Sequence, residues 1–235
     1  EIHERLVGSE MCIRDRVLGE YCFPSEPVHE EKITFRDLSE YENVSFQGFR
    51  GDIYVKEAVI PEGASVIPKS QFFGCRSLEK LHLPESVSVI GDYAFADCHV
   101  LKVWESIEKL SLKSVGTSAF ENCYALEFIS LPDSLTVIEG AAFAGCVSVN
   151  KLIFSDTALL KKIGDHAFRG CRNLKEVYLP DSVEYVGISA FRDCVSLEQI
   201  SVSEKIKDQP GITELEKNCP NARIRFREVN SVEKE

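Results

Sequence analysis

Cysteine recurs along this chain at positions 75, 98, 123, 146, 171, 194 and 219, at intervals of 23, 25, 23, 25, 23 and 25 residues. A unit that short cannot bury its own apolar side chains, so tandem units must stack as coils and bury one another's. The alternation points to duplication of a two-coil unit with one interval of each kind. Aligned on its cysteine, one unit reads Leu78, Leu81, Leu83, Pro84, Val87, Ile90, Gly91, Ala94, Phe95 and Cys98. The same slots hold Leu126, Ile129, Leu131, Pro132, Leu135, Ile138, Ala142, Phe143 and Cys146, and again Leu174, Val177, Leu179, Pro180, Val183, Val186, Gly187, Ala190, Phe191 and Cys194. The copies ending at Cys123 and Cys171 are two residues longer, with irregular stretches at 104–113 and 155–162.

Traces of the unit extend outward. Val55, Ala58, Ile60, Pro61 and Ile67 lead to Phe72 and Cys75, and before them Val44, Phe49 and Asp52 fill the Ile, Phe and Cys slots of a degenerate coil. At the far end Leu197, Ile200 and Val202 open a coil that reaches Cys219 with Glu216 in the Phe slot. Atypical end coils are expected, because one face of each meets water.

The physics of one coil is legible. Leu-x-Leu points both leucines to one side, as a short strand does. The proline after it lacks an N–H and ends the ladder. The Ile-Gly step is expected to permit a turn that other residues resist. Ala-Phe-x-x-Cys-x-x-Leu has spacings of three and four, so it predicts a short helix or 3₁₀ turn. Strands of successive coils are expected side by side, ~4.8 Å apart, in a parallel sheet.

The pattern Leu-x-x-Leu-x-Leu-Pro-x-Ser-Val-x-x-Ile-Gly-x-x-Ala-Phe-x-x-Cys, closest at 81–98 and 177–194, resembles the BspA-like (Treponema-type) leucine-rich repeat over 44–219. The resemblance implies an α/β or mainly-β, right-handed solenoid with a parallel sheet on its concave face and short helices or 3₁₀ turns on the convex side. It also implies a protein-binding or adhesion role, like that of surface antigens, and an extracellular or cell-surface setting; a cytoplasmic one stays open. Ser155 and Ser203, where the pattern has Pro, depart from it. Residues 1–16 resemble translated sequencing-adapter DNA and are expected to be non-native. Residues 17–43 are expected to be an irregular N-terminal region or cap, 44–226 a solenoid of about seven to eight coils, and 227–235 a disordered tail.

Composition narrows the chemistry. A formal charge of −11 argues against nucleic acid, whose phosphates need clustered Lys and Arg. No run of apolar residues is long enough for a transmembrane helix. Zinc sites need close ligand pairs such as Cys-x-x-Cys, and none occurs. Disulfides between coils fit poorly, because in-register side chains point the same way. Each repeat cysteine therefore reads as a small buried hydrophobe. His166 lies five residues before Cys171, but its slot elsewhere holds Tyr93, Ser118, Ala141 and Ser189, so that slot carries no required chemistry. His82 and His99 are scattered, and calcium loops and phosphate-cradling glycines are missing. No catalytic, cofactor-binding or metal-binding residues are assigned, and no enzyme is expected.

The concave sheet is the surface of interest. Outward strand positions fall five and seven residues after each cysteine. They give Lys80 and His82, Phe128 and Ser130, Lys151 and Ile153, Glu176 and Tyr178, and Gln199 and Ser201, with Lys109 and Ser111 expected from the irregular coil. The first eight are the candidate ligand-binding residues, for a protein or glycan ligand. Phe128, Ile153 and Tyr178 would cluster, flanked by Lys151 and Glu176. Such a cluster matches an interface centre only if it is contiguous; dispersed, it is an ordinary surface on a structural spacer or intracellular scaffold or sensor segment. Trp104 takes the slot of Leu81 and is expected in the core. Arg223, Arg225 and Arg227 alternate with Ile224 and Phe226, as in a charged last strand that discourages edge pairing.

Overall fold

The structure, a computed structural model, describes residues 49–60, 62–105, 110–155 and 157–228, together with the backbone of 32–34; at 103–105 only the backbone is described. Residues 1–16, Val44, Pro61, Lys109, the side chain of Trp104 and the tail from 229 lie outside it.

Three-residue strands line the concave face: β1 (Lys32–Thr34), β2 (Glu57–Val59), β4 (Lys80–His82), β6 (Val103–Glu105), β8 (Phe128–Ser130), β10 (Lys151–Ile153) and β12 (Glu176–Tyr178). Two five-residue strands, β14 (Gln199–Ser203) and β15 (Arg223–Arg227), complete it. All pairings are parallel and in register; Leu81, for example, faces Ala58 on one side and Trp104 on the other. The first strand, β1, falls ahead of Val44 and pairs with β2. The face divides into two sheets, β1-β2-β4-β6 and β8-β10-β12-β14-β15.

Two-residue strands form a third parallel sheet, the back sheet: β3 (Val66–Ile67), β5 (Val89–Ile90), β7 (Ser114–Val115), β9 (Val137–Ile138), β11 (Lys162–Ile163) and β13 (Tyr185–Val186). This sheet runs unbroken across all six strands. No regular helix forms between it and the cysteine; those segments are successive turns with i→i−3 bonds, such as Ala94 N–H to Gly91 O, Ala96 N–H to Tyr93 O and Cys98 N–H to Phe95 O. The alternate N–H groups bond to the next coil: Phe72 N–H to Ala94 O, Phe95 N–H to Ala119 O, Phe120 N–H to Ala142 O. Two residues per turn are left-handed. One slot holds Ser70, Tyr93, Ser118, Ala141, His166 and Ser189, with φ of 52–59°. The other, just before the cysteine, holds only Gly, Asp or Asn: Gly74, Asp97, Asn122, Gly145, Gly170 and Asp193. These residue types tolerate that backbone best. The slot of His166 thus has a conformational demand but no chemical one.

Helix appears among the described residues only in the last coil, as a 3₁₀ turn at Glu204–Ile206, α1 (Pro210–Thr213) and α2 (Leu215–Asn218). Glu216, aligned to the Phe slot, is exposed on α2, because the helix rotates its neighbour Leu215 into the core.

Two ladders run through the core. Phe49, Phe72, Phe95, Phe120, Phe143, Phe168 and Phe191 stack with centroids 5.1–5.8 Å apart and ring planes within 15°. Each repeat thiol donates to the carbonyl of the phenylalanine one coil earlier, at 3.0–3.5 Å. The seven cysteines are free and buried, so each is a hydrogen-bond donor as well as a space filler. Burial pushes the thiols of Cys75 and Cys146 up to about 12.

The recurring Pro-x-Ser serines hold the loop of the coil before. Ser134 Oγ meets Leu110 O and Leu112 O, and Ser182 Oγ meets Ala158 O and Leu160 O, at 2.7–3.1 Å. Where Ser155 replaces Pro, its hydroxyl and that of Thr157 bond the two oxygens of Asp133, which fastens the two-residue insertion. These bonds hold the Asp133 carboxyl below its usual range. Ser203, the other serine in a Pro slot, caps the 3₁₀ turn.

Candidate ligand-binding face

On β2, β4, β8, β10 and β12 the central residue is buried and the outer two face away from the core. Parallel register lines those outer residues into two rows along the array. One runs Glu57, Lys80, Val103, then Phe128, Lys151, Glu176, Gln199 and Arg223. The other runs Val59, His82, Glu105, then Ser130, Ile153, Tyr178, Ser201 and Arg225.

The eight candidate residues therefore separate into two groups. Lys80 and His82 sit in the first sheet, where His82 Nε2 lies 3.1 Å from Glu57 Oε1. Phe128, Ser130, Lys151, Ile153, Glu176 and Tyr178 sit together in the second. Lys151 opposite Glu176 sets the register that brings Tyr178 beside Ile153, and Phe128 lies diagonally one strand away. Their exposures are 40% for Phe128, 37% for Ile153 and 50% for Tyr178. The three lie on adjacent strands, Ile153 and Tyr178 in one row and Phe128 in the other, diagonal to Ile153. Gln199 Nε2 donates to Tyr178 Oη at 3.1 Å, fixing the ring from the neighbouring strand.

Two expectations fail here. In the irregular coil the register positions fall at Val103 and Glu105 rather than at Ser111, because its insertion follows the strand and leaves the five-and-seven spacing from Cys98 intact; Lys109 lies outside the described residues. Ser111 is exposed on the loop beyond, its N–H bonded to Glu85 O. Ser201 lies in the outward row but is only 4% exposed, since it is a small side chain between the longer Tyr178 and Arg225.

Sequence reasoning missed Arg223 and Arg225 as members of this face. They pair with Gln199 and Ser201 and carry the rows one strand further. The last coil shortens the spacing to four and six residues after Cys219; the Arg-x-Arg-x-Arg alternation was the usable signal. Arg227 differs from both: it bonds Leu179 O and pairs with Asp181 at 2.8 Å. Among the described residues Lys151, Glu176, Arg223 and Arg225 have no ion pair. Nor does any group of three His, Cys, Asp or Glu among them form a metal site. The Cys171 thiol donates to Phe143 O rather than to His166.

The profile of the BspA type leucine rich repeat region matches this ladder in six copies, over residues 16–148 and 104–219. The chain belongs to the BspA-type leucine-rich repeat family. Among solved structures, this BspA-type chain is similar to a leucine-rich repeat protein of Bacteroides ovatus, with 20% identity, TM-score 0.57, and coverage of 88% of this chain and 71% of that one. That likeness shows the fold. Also similar are the Treponema pallidum leucine rich repeat protein (26% identity, TM-score 0.48, covering 76% and 77%) and a leucine rich cell surface protein of Faecalibacterium prausnitzii (22%, 0.48, covering 78% and 62%). Comparison with curated proteins gives no match. No helix among the described residues is long and apolar enough to cross a membrane.

Proposed function

We propose that this chain is a non-catalytic binding protein that holds a protein ligand on the C-terminal half of its concave face. The observation that carries the reading is the exposure of Phe128, Ile153 and Tyr178 on three adjacent strands with charged neighbours around them; we take them to act as one apolar patch. An apolar centre within a polar rim suits a recognition surface, and tyrosine is a favoured anchor there. A spacer or scaffold segment has no need of a joined apolar patch, and scattered single side chains would serve it equally. Adhesion is the form this binding takes if the chain is displayed outside a cell.

The test is Tyr178→Ala. With the ring half exposed, the melting temperature should stay within ~2 °C of wild type, since surface substitutions stay within about 0.5 kcal/mol. Capture of any protein ligand should weaken by tenfold or more, on the order of a hot-spot loss. Unchanged capture would remove the concave patch from consideration.

A further inference from the structure

We infer that the C-terminal end of the concave face is a receptor for acidic protein segments: Arg223 and Arg225 take carboxylates, and Ile153 with Tyr178 takes an apolar side chain a few residues away. This rests on the reading that this face binds a protein.

The charge on the two rows is the reverse of the charge on the chain. The molecule carries −11, yet beyond Phe128 the rows hold Lys151, Arg223 and Arg225 against Glu176 alone. Of the exposed charges bordering the strands, Lys175 and Glu198 offset each other, and Glu127 lies beside Phe128 on β8, four strand steps from β15. At physiological salt, charges more than about 8 Å away are largely screened, so a ligand on this strand set responds to the local cations.

Those cations are also uncommitted. Several other charges on the same side are paired: Lys102 with Glu79 at 3.6 Å, His82 against Glu57, and Arg227 held by Asp181 and Leu179 O. Arg223 and Arg225, exposed and without an ion pair among the described residues, present planar forks suited to bidentate carboxylate binding.

Spacing gives the ligand a grammar. Tyr178 and Arg225 share a row and are separated by the buried Ser201, which leaves a low point between ring and guanidinium. From β12 to β15 is two strand steps, ~10 Å, and from β10 three, ~14 Å. An extended peptide covers about 3.3–3.6 Å per residue and turns alternate side chains to opposite faces, so an apolar residue and an acidic one four positions apart span the site and point to the same side. Glu176, in the middle of the cations, disfavours a continuous polyanion such as a sulfated glycan, but suits a peptide that also carries donors.

The test is an immobilised array of peptides about twelve residues long, long enough to cross the rows. Each carries one Leu and one Glu at varied separations, with Gln and Lys replacing Glu in matched sets, and the array is probed with the full chain. Retention should peak at a separation of four and dip at three, where the two side chains point to opposite faces; it should fall on Glu→Gln replacement and decline as salt rises. Arg223→Gln with Arg225→Gln should keep the melting temperature and lose the preference for Glu over Gln by about tenfold, the scale of a charged hydrogen bond. Arg225→Lys, which keeps charge without the fork, should retain part of it. Equal retention of Glu and Gln peptides that still depends on Tyr178 would overturn the acidic preference and leave the concave-face reading standing. Retention indifferent to both Tyr178→Ala and the arginine changes would overturn both. Heparin retention abolished by the arginine changes, with no peptide retained, would replace the acidic segment with a glycan and sink the proposal.

Discussion

A single methyl group measures how closely neighbouring coils approach. A Cβ on Gly91 would lie 2.8 Å from Ile67 O, and one on Gly164 would lie 2.5 Å from Gly140 N and 2.6 Å from the Glu139 carbonyl carbon. Neither glycine is left-handed, so the Ile-Gly step serves contact between coils and not the turn expected of it. One coil's sequence cannot reveal this, because the clash is with the backbone of another coil. Gly164→Ala should therefore destabilise by about 1–3 kcal/mol, the range for overpacking, read as a lower urea midpoint. The left-handed slots are the opposite case. Gly, Asp and Asn before each cysteine display their backbone demand openly, whereas Tyr93 or Ala141 in the other slot gives no sign of it.

At the scale of the element, the phenylalanine stack sets how firmly each coil grips its neighbours. Phe143, fully buried, lies between Phe120 and Phe168. Phe143→Ala should cost ~3–5 kcal/mol, measured by denaturant unfolding, and an unchanged midpoint would contradict the stack. The strands were readable because Leu-x-Leu keeps a fixed distance from the cysteine, even in the coil of Trp104, whose backbone pairs with Leu81 as its slot predicts. Of the helix or 3₁₀ turn that apolar spacings of three and four suggest, only i→i−3 turns form: Ala142 and Cys146 N–H bond back to Glu139 and Phe143, while the N–H groups of Phe143 and Phe168 bond to Ala167 and Ala190 of the next coil, a partner one coil's sequence cannot reveal. The eight candidate residues were placed from the same spacing, and six of them do share one sheet. Arg223 and Arg225 escaped because the last coil is closed by helices that shift the count.

Across the whole molecule, seven buried thiols link stability to pH. Burial holds them protonated in the fold, with Cys98, Cys123 and Cys171 well above their ordinary range and Cys75 and Cys146 at about 12. In the unfolded chain they ionise near pH ~8.5. Stability from this source is thus complete below that pH and declines as pH rises toward the folded values, by about 1.4 kcal/mol per pH unit for each fully ionised thiol. The urea midpoint should drop between pH 8 and about pH 9.5, with thiolate absorbance appearing only on unfolding; a flat midpoint would place the thiols in contact with water. The two faces also differ in mechanical terms. The back sheet is continuous from Val66–Ile67 to Tyr185–Val186, whereas the concave ladder stops at Val103–Glu105 and resumes at Phe128–Ser130. A beam with one unbroken side and one notched side bends at the notch. Flexing of this array should concentrate there, leaving the strands from Phe128 onward to move as one rigid plate.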